Sequence, residues 1–142
     1  MEFSADGIIA SSSLDRSNWT ATASENNSKS STKKAFDGKI DTRWDTGKSQ
    51  TPGQWFILDL GGEYAFNYLI LDVGSSTGDA PAKWDIFVSS DGENWGKSIA
   101  SGKKGNGIIK FEPQTASYIK IEQNGSDGLY WSIHEMYVCY AP

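Results

Sequence analysis

Seven stretches of this chain read as strands, and no window of eleven or more residues sustains a helical period. They are WTATAS (19–24), WFILDLG (55–61), YLILDVG (68–74), WDIFVSS (84–90), IIKFEP (108–113), SYIKIEQ (117–123) and MYVCY (136–140). Most alternate or run continuously apolar with β-branched and aromatic residues, and Gly, Asp, Asn or Pro bound nearly all of them. In SSDGENW (89–95), Asp91-Gly92 supplies the positive φ of a hairpin-type connection. Composition agrees. Aromatic content of 13% and 15 Gly, within a hydrophobic total of only 37%, suit strands and turns rather than a helical bundle. At 142 residues, with neither repeat nor linker, the chain holds one core. The spacing predicts an antiparallel β-sandwich whose polar connections, and hence its function, gather at its two ends.

Charge narrows the partners. A net charge of −5 argues against nucleic acid, whose phosphates call for a basic face, and against an anionic membrane surface. No apolar run approaches the ~20 residues of a membrane span, and MEFSADGII lacks the basic-then-apolar pattern of a signal peptide. Residues 1–7 read as an extension or scar, and 8–142 as the domain. The single cysteine, Cys139 within MYVCYA, forms no disulfide framework and reads as an inert core thiol. The sequons at Asn18, Asn26 and Asn124 carry meaning only in a glycosylating pathway. HExxH is absent, and the acidic residues are spread over turns and strand edges instead of paired in one cleft, so a glycosidase is disfavoured.

One loop stands out. In KKAFDGKIDTRWDT (33–46), oxygen-bearing side chains surround an Asp-Gly turn. Calcium takes six to eight oxygen ligands around a sharp turn. Asp37 can give a carboxylate, Gly38 the turn, and Thr42 a hydroxyl and a carbonyl. The spacing is not that of an EF-hand, and an ordinary Asp-Gly turn with a capping Thr explains the same residues.

Taken in order, WTATAS, AFDGKIDTRWDT, GQWFILDLG, WDIFVSSDGENW, YIKIEQNG and WSIHEMYVCY resemble the discoidin-like (coagulation factor C-domain type) superfamily, and within it the family 32 carbohydrate-binding modules. The resemblance spans about residues 8–141. It implies an all-β fold, an eight-stranded antiparallel jelly-roll sandwich of the galactose-binding-domain type, with one structural calcium (Ca2+). Carried over by position, the ion's ligands would be the carbonyls of Lys34 and Lys39, the Asp37 carboxylate, Thr42 through hydroxyl and carbonyl, the His134 carbonyl and the Glu135 carboxylate. The ring of His134 would then be a packing or surface group.

The resemblance also implies a non-catalytic module that attaches a larger secreted, extracellular glycoside-active enzyme to a mono- or oligosaccharide glycan, as a monomer beside a catalytic domain in the same chain. A sugar needs an aromatic ring free for stacking and planar polar groups that read its hydroxyls. Trp19, Trp55, Trp84 and Trp95 border strands, and Trp44 follows the calcium-type loop, so these read as core or rim. NGSDGLYWS reads as a loop before the closing strand, which makes Trp131 the first candidate for stacking and Tyr130 the second. Asp45, Lys48, Gln50 and Asp79 are the candidate polar partners, with Ser76, Thr77, Asn26 and Asn27 nearby. The galactose-binding His and Arg pair has no clear match, because Arg43 sits inside the calcium-type loop. The rival is a discoidin-like protein- or lipid-binding adhesion domain. Its apolar and basic spikes are not matched by end loops rich in Ser, Asp, Gly and Asn.

Overall fold

The structure, a computed structural model, describes residues 5–28 and 31–142. The Met1–Phe3 part of the expected extension and Lys29-Ser30 of the polar run before the calcium-type loop lie outside them. The described residues form eight strands: β1 Thr20–Ala23, β2 Trp44–Gln50, β3 Gln54–Asp72, β4 Trp84–Ser89, β5 Ala100–Gly102, β6 Ile108–Gln123, β7 Asp127–Ile133 and β8 Glu135–Cys139. A short helix, α1 (Asp6–Ser12), precedes them, so the expected boundary at residues 7 and 8 falls inside a helix. Seven residues are too few to show a helical period in the sequence.

All pairings are antiparallel. Five strands lie in the order β1-β3-β6-β4-β5, β8 pairs with β3 off this path, and β2 and β7 make a separate two-stranded sheet. WFILDLG and YLILDVG prove to be two halves of β3. The first half pairs with β1 and the second with β8, and the register on β6 shifts between Asp59 and Tyr64. That shift lets one long strand turn without breaking its ladder. IIKFEP and SYIKIEQ are likewise two halves of β6.

Alternation drives the packing. Phe56, Leu58 and Leu60 of β3 are buried, as are Ile119 and Ile121 of the facing β6. The β2–β7 sheet closes over them. Trp44 meets Phe56 edge-on with ring centroids 4.9 Å apart, and Trp131 meets Trp44 at the same 4.9 Å. Cys139 is fully buried, and burial pushes its thiol up to about 11.

Candidate carbohydrate-binding face and cation loop

The β2–β7 register decides what each side chain near this face can do. Trp44 stands opposite Ile133, and Asp45 opposite Ser132. Trp131 therefore points inward. It is 0% exposed and packs in the core, so the expected outward ring at this position is corrected. NGSDGLYWS is mostly strand β7, not a loop, and the alternation of a strand hides one neighbour while showing the next. Tyr130 is 38% exposed.

The expected polar partners divide in the same way. Asp45 is buried and committed: Oδ1 accepts the Gly47 amide at 2.9 Å and Oδ2 pairs with Arg43 Nε at 2.9 Å. Gln50 is buried too. Its amide donates to the carbonyls of Ala80 and Tyr130, and its oxygen accepts the Ala82 amide. Neither can read a sugar hydroxyl, which corrects both expectations. At 2% and 1% exposure, both side chains are turned to partners inside the protein. Asp79 is nearly buried. Its Oδ2 accepts the Ser132 hydroxyl at 2.5 Å and lies 3.7 Å from Arg43 Nη1. Lys48 is exposed and pairs with Glu25 at 3.2 Å.

The side chain that gathers this cluster is Arg43, which the sequence placed inside the calcium-type loop. Its backbone belongs there, but its guanidinium reaches out to Asp45, to Asp79 and to the Ser76 hydroxyl at 2.7 Å. The Arg43 side chain is 38% exposed. The Ser76 hydroxyl, which accepts from Arg43, also meets His134 Nε2 at 2.8 Å. His134 Nδ1 in turn faces the Ile40 carbonyl at 2.6 Å, an acceptor only, which places the ring proton on Nδ1. His134 is 2% exposed, so its ring joins the two loops from within. The spacing Arg43-x-Asp45, at the entry to β2, was the available signal for this cluster.

Asn27 closes the edge. Its amide donates to the Asp45 carbonyl at 3.0 Å, and its Cα lies 3.0 Å from where a Cβ on Gly47 would stand. Gly47 has φ +68, so β2 bulges there and the Asn26–Asn27 segment lies flat on the bulge. A shallow groove of about 550 Å3 runs beside β1, past Asn26, Asn27, Ser28 and Thr32.

The calcium-type loop lies on the other side of His134. Asp37 Oδ2 accepts the Thr42 hydroxyl at 2.5 Å and Oδ1 the Lys39 amide at 3.0 Å. Thr42 also reaches the Lys39 carbonyl at 3.2 Å. From β8, Glu135 accepts the Gly38 amide at both oxygens, 3.2 and 3.1 Å, and a 2.7 Å ion pair from Arg16. Burial opposes ionisation of Asp37, but the Thr42 and Lys39 hydrogen bonds outweigh it and hold the carboxyl below its usual value. Burial pushes Glu135 up, with Arg16 working against it. Each carboxylate influences the other's ionisation, the Glu135 contact lowering Asp37 and the Asp37 contact raising Glu135. Gly38, at φ +80, makes the turn that points its amide at Glu135. Two carboxylates beside the Lys39 carbonyl and the Thr42 hydroxyl are hard oxygen donors of the kind calcium takes. Lys34 and its carbonyl belong to the adjoining single turn of 3-10 helix, Thr32–Ala35. Among the described residues, no group of three or more His, Cys, Asp or Glu side chains could hold a metal ion, so such a site would rest on carbonyls as well.

Several known proteins share this architecture. The Clostridium perfringens module CpGH89CBM32-5, solved in complex with GalNAc-β-1,3-galactose, is 29% identical, with a TM-score of 0.76 over 92% of this chain and 100% of that one. Chitosan-binding module 1 of a chitosanase/glucanase from Paenibacillus sp. IK-5 is 27% identical, with a TM-score of 0.71 over 85% of this chain and 94% of that one. The family 32 module of C. perfringens NanJ, solved with galactose, shares the fold at 23% identity and a TM-score of 0.75, over 90% of this chain and 98% of that one. Galactose oxidase of Gibberella zeae is 29% identical over 129 residues, 80% of this chain, and the chain spans only 19% of that enzyme's length. The F5/8 type C domain model matches residues 10–136, most of the sequence, and the chain belongs to that family.

Proposed function

We propose that this chain is a non-catalytic carbohydrate-binding module that holds a glycan on the face built by Tyr130 and Arg43. The observation that carries the reading is its likeness, at 29% identity across all of the partner's length, to a module bound to GalNAc-β-1,3-galactose. The face has what a neutral sugar requires. Tyr130 offers a half-open ring for the sugar's C–H face. Arg43 offers a planar donor whose charge is balanced by Asp45 and Asp79, so it is oriented before any ligand arrives. Lys48 stands at the rim as a mobile donor.

A single shallow site of this kind binds weakly. It becomes useful by raising effective concentration when tethered to another domain. We place the module in a larger, secreted carbohydrate-active protein, as a monomer that keeps a catalytic domain of the same chain close to its glycan. The Asp37–Glu135 pair is the proposed seat of one structural calcium ion, with Thr42 and the carbonyls of Lys34, Lys39 and His134 completing its shell. When bound, the ion would supply charge balance and a tie between the loop and β8.

Leu129 and Ile40, 47% and 50% exposed, keep the lipid-binding alternative in the test. Calorimetric titration with GalNAc-β-1,3-galactose, galactose and a chitosan oligosaccharide, beside phosphatidylserine vesicles, separates the readings. The module should bind at least one sugar in the micromolar to millimolar range, and Tyr130→Ala should weaken it by about tenfold or more at an unchanged melting temperature. Binding to vesicles alone would replace the sugar reading with the lipid one.

A further inference from the structure

We propose that a cleft beneath helix α1 is a second ligand site, which takes an uncharged apolar group the size of an aryl ring or short alkyl chain. The cleft encloses about 440 Å3 between α1, the 73–81 segment and the 103–108 turn, within the roughly 300–1,000 Å3 of small-molecule sites. Its walls are Ile70 and Leu71 of β3, Ile108 and Ile109 of β6, Ile9 of α1 and Trp84 of β4.

The charges around it select the ligand. Lys104 is already neutralised, with Nζ 2.9 Å from Asp127 and 3.0 Å from the Gly78 carbonyl. The other two charged residues of the lining, Asp6 and Asp72, are acidic. Among the described lining residues, an anion entering here meets the carboxylates of Asp6 and Asp72, and the one cation, Lys104, is held by Asp127. Against the Ile, Leu and Trp walls a bare polyol exchanges water for apolar carbon and loses hydrogen bonds there. An uncharged apolar group gains by leaving water for the Ile, Leu and Trp walls, with the polar lining residues left at the rim.

The site is built in advance. Lys104 is the one non-glycine with positive φ among the described residues, at +36°. In that conformation its carbonyl accepts the Trp84 indole N–H at 3.3 Å, and its amide donates to the Pro81 carbonyl at 3.1 Å. The turn, the ring and the 73–81 segment are thereby fixed around the opening. Helix α1, with no buried residue, is the thin wall. Ser132 separates this cleft from the Arg43 face: it lines the cleft, while its hydroxyl donates to Asp79. The inference goes beyond glycan binding and does not depend on it.

The test titrates the full chain with N-phenyl-1-naphthylamine, an uncharged fluorescent probe that carries no sugar, and maps the contact by isoleucine-methyl NMR. Saturable binding of one probe per chain is expected, with shifts at Ile9, Ile70, Ile108 and Ile109 and none at Ile57 or Ile86. Thr77→Trp, which sets an indole into the mouth from an exposed loop position, should weaken the probe by about tenfold or more. Ile9→Glu, on a helix with no buried residue, should do the same by charging the wall, and serves if the first variant is poorly folded. Tyr130→Ala should leave the probe's affinity unchanged. Absence of saturable binding, shifts at the other isoleucines, or folded Thr77→Trp and Ile9→Glu proteins that bind like wild type would overturn the assignment.

Discussion

A single step along β7 separates a core residue from a ligand contact. Trp131 and Tyr130 are adjacent in the sequence and both aromatic, yet one is sealed against Trp44 and the other faces out. Composition cannot tell them apart, because which of them turns inward depends on the β2 register opposite. Their substitutions should behave oppositely. Trp131→Ala removes a fully buried ring and should cost about 3–5 kcal/mol in urea unfolding, so any lost binding would follow lost structure. Tyr130→Ala should change stability by about 0.5 kcal/mol or less, as exposed positions do. Cys139 offers a second check of burial. With its thiol pushed up to about 11 and no exposure, it should resist dithionitrobenzoate in the native protein and react at once in denaturant. Native reactivity on the time scale of a free thiol would place β8 at the surface.

At the scale of elements, the strands with apolar alternation were legible and those without it were not. β3, β4, β6 and β8 announce themselves by Ile, Leu, Phe and Val. WDTGKSQ of β2 carries a glycine and five polar residues, and reads as a loop until β7 is seen pairing with it. The cluster on this pair was half legible for the same reason: Asp45 and Asp79 were recognisable as polar partners, but not Arg43 as the group they serve. Gly47 is the physical cause of the disguise. Gly47→Val would combine a left-handed backbone with a clash against Asn27, so the melting temperature should fall by several degrees, corresponding to about 1–2 kcal/mol. The Asp91 turn after β4 is a second element-level test. Amides of Glu93 and Asn94, the Asn94 side chain and the Ser89 hydroxyl all donate to its carboxylate, and they hold it far below the ordinary 3.8. Since folding lowers this value, its contribution is fully present above 3.8 and is lost as pH falls through the folded value. Carboxyl-carbon NMR should therefore show Asp91 still ionised where exposed carboxyls have titrated, and Asp91→Asn should remove that resonance's contribution to acid unfolding. An ordinary titration at Asp91 would show that the turn is open in solution.

Across the whole molecule, the two ends of the chain meet at Glu135. Arg16 arrives from the lead into β1, Gly38 from the calcium-type loop, and the carboxylate itself from β8. The chain order of AFDG and IHE made this meeting legible through the family resemblance, whereas Arg16's share in it had no motif to mark it. A cation at the Asp37–Glu135 pair would bind only the folded sandwich, and stabilise it by about 2.7 kcal/mol when present at a hundredfold over its dissociation constant. Chelation should then lower the melting temperature of the whole domain in one transition, and added calcium should restore it. Asp37→Ala should abolish that calcium response while sugar binding, on the far side of His134, falls only secondarily. Loss of sugar binding at an unchanged melt would instead make the ion a direct contact. The central claim is that a sugar sits on the Tyr130–Arg43 face, and amide NMR on titration with GalNAc-β-1,3-galactose tests it most directly. Saturating shifts should gather at Tyr130, Arg43, Lys48, Ser76 and Asp79. Shifts gathered instead around the Asp91 turn, or none at tens of millimolar sugar, would contradict it.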